Sequence, residues 1–212
     1  DVATIDEAIE GARDIMAEWV NERGQARNAM RNLYSRSATI SSKLVKGKKE
    51  EAEKYQDYFD FSESLSKCPS HRILAIRRGE DEGFLKVSIA PDLKEAIEAL
   101  EKIFVKGNTE SSSEVMLAIK DSYKRLLGPS IETEFRSLSK EKADAGAIRI
   151  FSENLRQLLM APPLGPKRVL AIDPGFASGC KLVALDETGK LLTNENIYPH
   201  EPKAMVGQSA AK

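Results

Sequence analysis

Cysteine is scarce: Cys68 and Cys180 stand far apart in 212 residues, with no cluster of histidine or cysteine around either. That argues against a structural zinc site and points to reduced thiols in a cytoplasm. No apolar run approaches the ~20 residues that a membrane-spanning helix needs, and no signal-peptide pattern opens the chain. Neither charge sign is in excess, since 32 basic and 33 acidic residues leave a net charge of -1. A protein that grips nucleic acid over its whole surface is more basic than that, so any such contact is local or belongs to parts not present.

What remains is a globular composition, 41% hydrophobic and 31% charged, with length enough for one large domain or two modest ones. Thr4 with Glu7 three residues later is a capping-box pattern. Ile5, Ile9, Ala12, Met16, Trp19 and Val20 follow at helical spacing, so this face, Trp19 included, is expected to pack in the core. A second helix is expected from Gln25 to Tyr34, and a strand from Ala38 to Lys46. Lys46, Lys48 and Lys49 could touch phosphate, but Glu50, Glu51 and Glu53 beside them read as a solvated turn. Tyr55, Tyr58, Phe59 and Phe61 are the densest aromatic patch; anchoring a loop to the core is preferred over stacking on bases. His71, after Pro69 and Ser70, opens a helix and has no acid or nucleophile spaced to make it a base.

Gly79 and Gly83 bracket a turn ahead of the strand FLKVSIAP. Two amphipathic helices follow, one with Leu93, Ile97, Leu100 and Phe104 on a face, the other with Val115, Ile119, Tyr123 and Leu126. Gly128-Pro129 is expected to break the second of these. From Ser130 to Met160 no proline interrupts the chain, and Ile148, Phe151, Leu155 and Leu158 keep the helical period, with Gly146 the one weak point. Residues 161–167, APPLGPK, are a linker that forbids helix. After it, RVLAID, CKLVALD and KLLTNENIY read as three strands, with Gly189 suited to a left-handed position in the hairpin turn DETGK. The tail EPKAMVGQSAAK reads as frayed.

The first of these strands ends on Asp173, in RVLAIDPGFASG. On spacing alone the acid is either a turn residue or a metal ligand. Three antiparallel strands with an acid ending the first open an RNase H-like fold, whose two Mg²⁺ ions need carboxylates from several strands. Asp186 sits at a hairpin turn, in the wrong place to help, so this segment is not expected to hold a complete two-metal site. GFASGCK lacks P-loop spacing, and Ser178 lacks the nucleophile-elbow pattern. The loop Pro174–Gly179 could still offer backbone N–H groups to an anion.

The elements PSHR, RRGE, APPLG and DPG, in that order, together with GARDIMAEWVNE and IYPHEP, resemble the Tex family of bacterial transcription accessory proteins. The resemblance covers nearly the whole chain. It implies an α+β chain: residues 1–160 a mostly helical Tex-type central region with short strands, 161–167 the linker, and 168–212 the opening antiparallel strands of a YqgF, RNase H-like domain. It also implies a cytoplasmic, non-catalytic scaffold fragment of a factor that binds nucleic acid, RNA or DNA, mainly through domains absent here, and acts with RNA polymerase or other transcription proteins, with no membrane contact. Only Asp173 matches an active-site position of the resolvase relatives, as a vestigial metal ligand. No cofactor is implied, Mg²⁺ entering only if the full-length RNase H-like site is active. Where the family shows an Arg-Thr pair after DPGF, this chain has Ala177-Ser178, which removes one phosphate contact. The rival expectation is a resolvase-like, metal-dependent nuclease completed by further sequence, and a third is an interaction scaffold built on the long helices.

Overall fold

The computed structural model describes residues 4–175, 178–201 and 203–211. The chain divides into two compact units, Asp1–Asn154 and Leu155–Lys212. The first is built on α1 (Ile5–Glu22), α2 (Gly24–Ser37), β1 (Thr39–Leu44), a 3-10 turn (Glu53–Tyr58), β2 (Asp60–Ser64), α3 (Ser70–Asp81), β3 (Leu85–Ala90), α4 (Leu93–Phe104), α5 (Glu110–Ser122), a π turn (Tyr123–Leu127) and α6 (Gly128–Leu159), which runs on past Asn154. The second holds β4 (Val169–Asp173), β5 (Cys180–Leu185), β6 (Leu191–Ile197) and α7 (Val206–Ala210). The chain is α+β, mostly helical, with two three-stranded antiparallel sheets ordered β2-β1-β3 and β4-β5-β6. Among the described residues no helix is long and apolar enough to cross a membrane.

Helix α1 starts where Thr4 accepts the Glu7 N–H on its hydroxyl. Its packing edge, however, is made of Ala17 and Val20, while Trp19 is 66% exposed and Ile5 80% exposed. Ser122 of α5 donates its hydroxyl to the Ala17 carbonyl at 2.7 Å, an approach so close that only small side chains fit between the two helices. The bulky Trp19 is therefore turned outward, contrary to the core position expected from periodicity.

In the first sheet β1 is central, pairing Ile40 with Glu63 of β2 and with Ile89 of β3. Ile40, Ser42, Leu85, Val87 and Ile89 face inward and are buried. Strand β2 carries Phe61, one of the four aromatics, and Tyr55, Tyr58, Phe59 and Phe61 all pack on the core as anchors. Gly79 does not border a turn: it lies inside α3, and a Cβ there would sit 2.6 Å from Leu85 Cδ1. Gly83, at φ +76°, supplies the turn instead.

Gly128-Pro129 does not end the helix. Pro129 brings no N–H to the helical ladder, and the chain absorbs the loss by widening one turn, with the Gly128 N–H reaching back five residues to the Tyr123 carbonyl. A Cβ on Gly128 would lie 2.5 Å from that carbonyl oxygen, so glycine is required there. The extra residue advances the buried face, and Leu127 becomes fully buried while Leu126 is only half-buried.

Helix α6 then continues for 32 residues, ~48 Å at the standard rise. Gly146 does not interrupt it: the missing side chain leaves room for Ser70 Oγ, 2.7 Å from where a Cβ would be. Ile148, Phe151, Leu155 and Leu158 along it are all exposed, at 65%, 66%, 42% and 75%.

Strand β3 is an edge strand, and α6 completes it. Glu132 accepts the Ile89 N–H at 2.9 Å, and the Arg136 guanidinium donates to the Val87 carbonyl. Arg136 also pairs with Glu80 at 2.9 Å and with Glu132 at 3.3 Å. Burial works against the Arg136 charge, but Glu80 and Glu132 outweigh it and hold the guanidinium protonated. Glu132→Ala is expected to lower the unfolding free energy by about 1–3 kcal/mol, because the Ile89 edge N–H loses its acceptor and the Arg136 guanidinium loses one of its two carboxylates. Urea denaturation checks this, and Glu132→Gln should recover part of the loss, since its amide oxygen still accepts the Ile89 N–H.

Burial, and after it Glu63, push the Cys68 thiol from 9.0 up to about 11. An acid raised in the fold stabilises below its unfolded value and stops doing so as pH climbs through the folded one. Melting temperature should therefore fall between pH 9.0 and about 11, with a shallower slope in Cys68→Ala.

Candidate functional site

The candidate site is the corner of the second sheet where β4 ends. Its strand exists because Val169 to Ile172 pair along β5, from Leu185 back to Leu182, and it stops because Pro174 cannot donate to a ladder. Asp173 is the last paired residue, directly opposite Lys181. Its carboxylate is 77% exposed and lies 3.9 Å from Lys181 Nζ. The turn that follows is tight. A Cβ at Gly175 would come within 2.6 Å of Ser178 Oγ, and one at Gly179, at φ +83°, within 2.5 Å of the Tyr198 ring. Of the loop proposed to offer N–H groups to an anion, Phe176 and Ala177 lie outside the described residues, and so does the first member of the Ala177-Ser178 pair.

The neighbours of Asp173 along its row are Lys181 and, on β6, Asn196. Glu195 belongs to the next row, opposite Leu182, and so projects to the other face. Asp186 lies past the far end of β5, five residues beyond Lys181, or about 17 Å along the strand. It is engaged in its own turn, accepting from the Thr188 hydroxyl at 2.7 Å and from the Thr188 and Lys190 N–H groups. The Thr188 hydroxyl, with those N–H groups, holds its carboxyl below the usual range. Gly189, at φ +83°, takes the left-handed place in that hairpin.

One carboxylate beside an ammonium is a poor donor set for Mg²⁺, which asks for several oxygen ligands in octahedral array. Among the described residues no three His, Cys, Asp or Glu side chains gather closely enough to hold a metal ion. The residues described here therefore do not fit the metal pair of an RNase H-like nuclease.

The second unit is thinly packed. Cys180 is its one buried apolar residue among those described, and Leu170, Ile172, Leu191 and Leu192 are all more than half exposed. The tail is not frayed throughout. The Met205 N–H donates to the Tyr198 carbonyl at 2.7 Å, Ser209 Oγ accepts the Tyr198 N–H at 3.1 Å, and Val206–Ala210 form α7. Lys203 Nζ sits 3.8 Å above the Tyr198 ring.

In the first unit, a cavity of about 880 Å³ lies among α2, α4, α5, the π turn and α6, with Tyr34, Ile97, Tyr123, Pro129 and Glu132 in its wall. Burial raises both tyrosine pKa values, and their hydroxyls stand 3.5 Å apart. The sequence did not single out this cavity; Gly128-Pro129, read there as a helix break, is the sequence feature that stands in its wall. His71 is exposed at the start of α3, with no charged partner among the described residues. Of the lysines in the expected solvated turn, Lys48 lies over the Phe84 ring at 5.5 Å, and Lys54, just past the turn, pairs with Glu82 at 2.7 Å.

Comparison with known proteins places this chain in a family. The family described as Tex central region-like matches residues 1–151, and the Tex protein YqgF-like domain matches residues 167–212. A Bacillus subtilis (strain 168) protein, YdcI, is 45% identical over 204 residues, which cover 95% of this chain and 28% of that protein. The transcriptional accessory protein Tex of Neisseria gonorrhoeae is 34% identical over 205 residues, covering 94% of this chain and 27% of its own length. A human protein, S1 RNA-binding domain-containing protein 1, is 29% identical over 214 residues, 94% of this chain and 21% of that protein. The chain thus spans about a quarter of the length of the curated relatives it matches.

Proposed function

This chain belongs to the Tex family, and we propose that it is a non-catalytic scaffold of a transcription accessory factor, which as an intact protein binds nucleic acid and works beside RNA polymerase in the cytoplasm. The family membership rests on the match over residues 1–151. The single observation that carries the non-catalytic reading is Asp173, a lone exposed carboxylate whose row neighbour is the cation Lys181. Chemistry on a phosphodiester would need a second and third acid on adjacent strands, and the described part of the YqgF-like segment offers none on the same face. Nucleic acid enters through the names of relatives: one is a transcriptional accessory protein, another an S1 RNA-binding domain-containing protein. The exposed apolar positions Ile148 and Phe151 of α6 favour a role in holding other protein surfaces.

The intact protein is expected to show no Mg²⁺-dependent cleavage of branched or single-stranded substrates, and Asp173→Asn to leave that baseline unchanged. Robust turnover lost on Asp173→Asn would install the resolvase-like nuclease instead. The 212-residue chain alone should shift a nucleic-acid probe weakly even at low salt, because its net charge is -1. Tight binding in a gel-shift would reveal a local basic patch and move the nucleic-acid contact into this chain.

A further inference from the structure

Helix α1 carries two apolar edges, and the fold uses only one. Ala17 and Val20 meet α5. The other edge reads Ile5, Ala8, Ala12, Ile15, Trp19, alternating steps of three and four, and every one of these residues is exposed. That 3-4 spacing is the seam of a helix paired with another helix. The seam runs ~21 Å, its small Ala8 and Ala12 permitting close approach and its large residues standing at the ends. At the Trp19 end it opens into a groove of about 610 Å³, floored by Met16, Val20, Phe104, Val115 and Ala118, a socket for a bulky side chain.

Charge identifies the occupant. Ile5–Glu22 contains six acids and a single base, Arg13. Arg13 is engaged with Glu114, and Asp14 with Arg125. Glu10, Glu18 and Glu22 have no ion pair among the described residues, and Glu18 and Glu22 border the Trp19 end of the seam, where Arg23 is the cation lining the groove. A phosphate backbone would be repelled along this helix. A second copy of α1 would set like charges against like.

We propose that α1 is a docking surface for an amphipathic helix of a partner protein, with an apolar seam that interlocks with Ile5–Trp19 and Lys or Arg along the flank facing Glu18 and Glu22. The partner helix covers Trp19 and lodges a large side chain in the groove between Trp19, Phe104 and Val115. The site is independent of the Asp173 corner, and the two readings fail separately.

Trp19 is the single tryptophan of the chain, so its emission reports occupancy directly. Two synthetic helical peptides with the same Leu/Ala seam, one flanked by Lys and one by Glu, serve as probes. The Lys peptide should shift the Trp19 emission to the blue and saturate, and the Glu peptide should bind about tenfold more weakly or worse. Ala12→Glu, at an exposed position, should keep the helical circular dichroism and lose the shift. Equal binding of both peptides, or full binding by Ala12→Glu, would overturn the proposal. In the intact protein carrying Ala12→Cys, a bulky maleimide should label position 12, read by peptide mapping, until the Lys peptide is added. Protection before any peptide is added would assign the seam to the same polypeptide. A concentration-dependent dimer lost on Ala12→Glu would assign it to a second copy. Either result overturns the partner-helix reading.

Discussion

An edge strand cannot be left with buried, unpaired backbone groups, and the first unit is organised around meeting that requirement at β3. Its Ile89 N–H and Val87 carbonyl are taken by Glu132 and Arg136, two residues one turn apart on α6. For those side chains to arrive, α6 must already be helical at residue 132. The chain therefore cannot relax into a loop at Gly128-Pro129, and the π turn is the accommodation. Glu80 extends the same network into α3, so sheet edge, long helix and the helix ahead of β3 share one set of charges. Backbone satisfaction and electrostatic satisfaction coincide there: Glu132 serves the strand and Arg136 together.

The functional reading follows from where charge sits. At the β4 corner the carboxylate faces a lysine, which suits a stable sheet edge and does not suit a pair of dications. On α1 the acids stand beside an apolar seam with no partner among the described residues, an arrangement that suits a protein surface and disfavours phosphate. Both observations are compatible with a chain that holds other macromolecules in place. The acidity of α1 also accounts for the near-zero net charge of the chain, since its six acids against one base offset a surplus of basic residues elsewhere.

Much of this was legible in the residues. The Thr4 cap, the alternation of FLKVSIAP, the three strands after the prolines and the turn at Gly189 are local matters, set by hydrogen bonds or backbone angles within a few positions. The place of Asp173 at a strand end was legible for the same reason. Periodicity located the helical faces but could not say which face another element would cover. Trp19 looks like core because it is large and apolar, yet its fate was settled by Ser122, over one hundred residues away, reaching the Ala17 carbonyl.

Sequence alone thus indicated most helices and strands, though not β2, the 3-10 turn, the π turn or α7, together with the linker's incapacity for helix and the family. Tertiary structure decided the rest: that Gly128-Pro129 widens a helix instead of ending it, that Gly79 and Gly146 make room for Leu85 and Ser70, and that Trp19 faces outward. The physical reason is range. Caps, turns and strand alternation are enforced by neighbours along the chain, whereas burial and the pairing of an edge strand depend on side chains brought from distant positions by the fold itself.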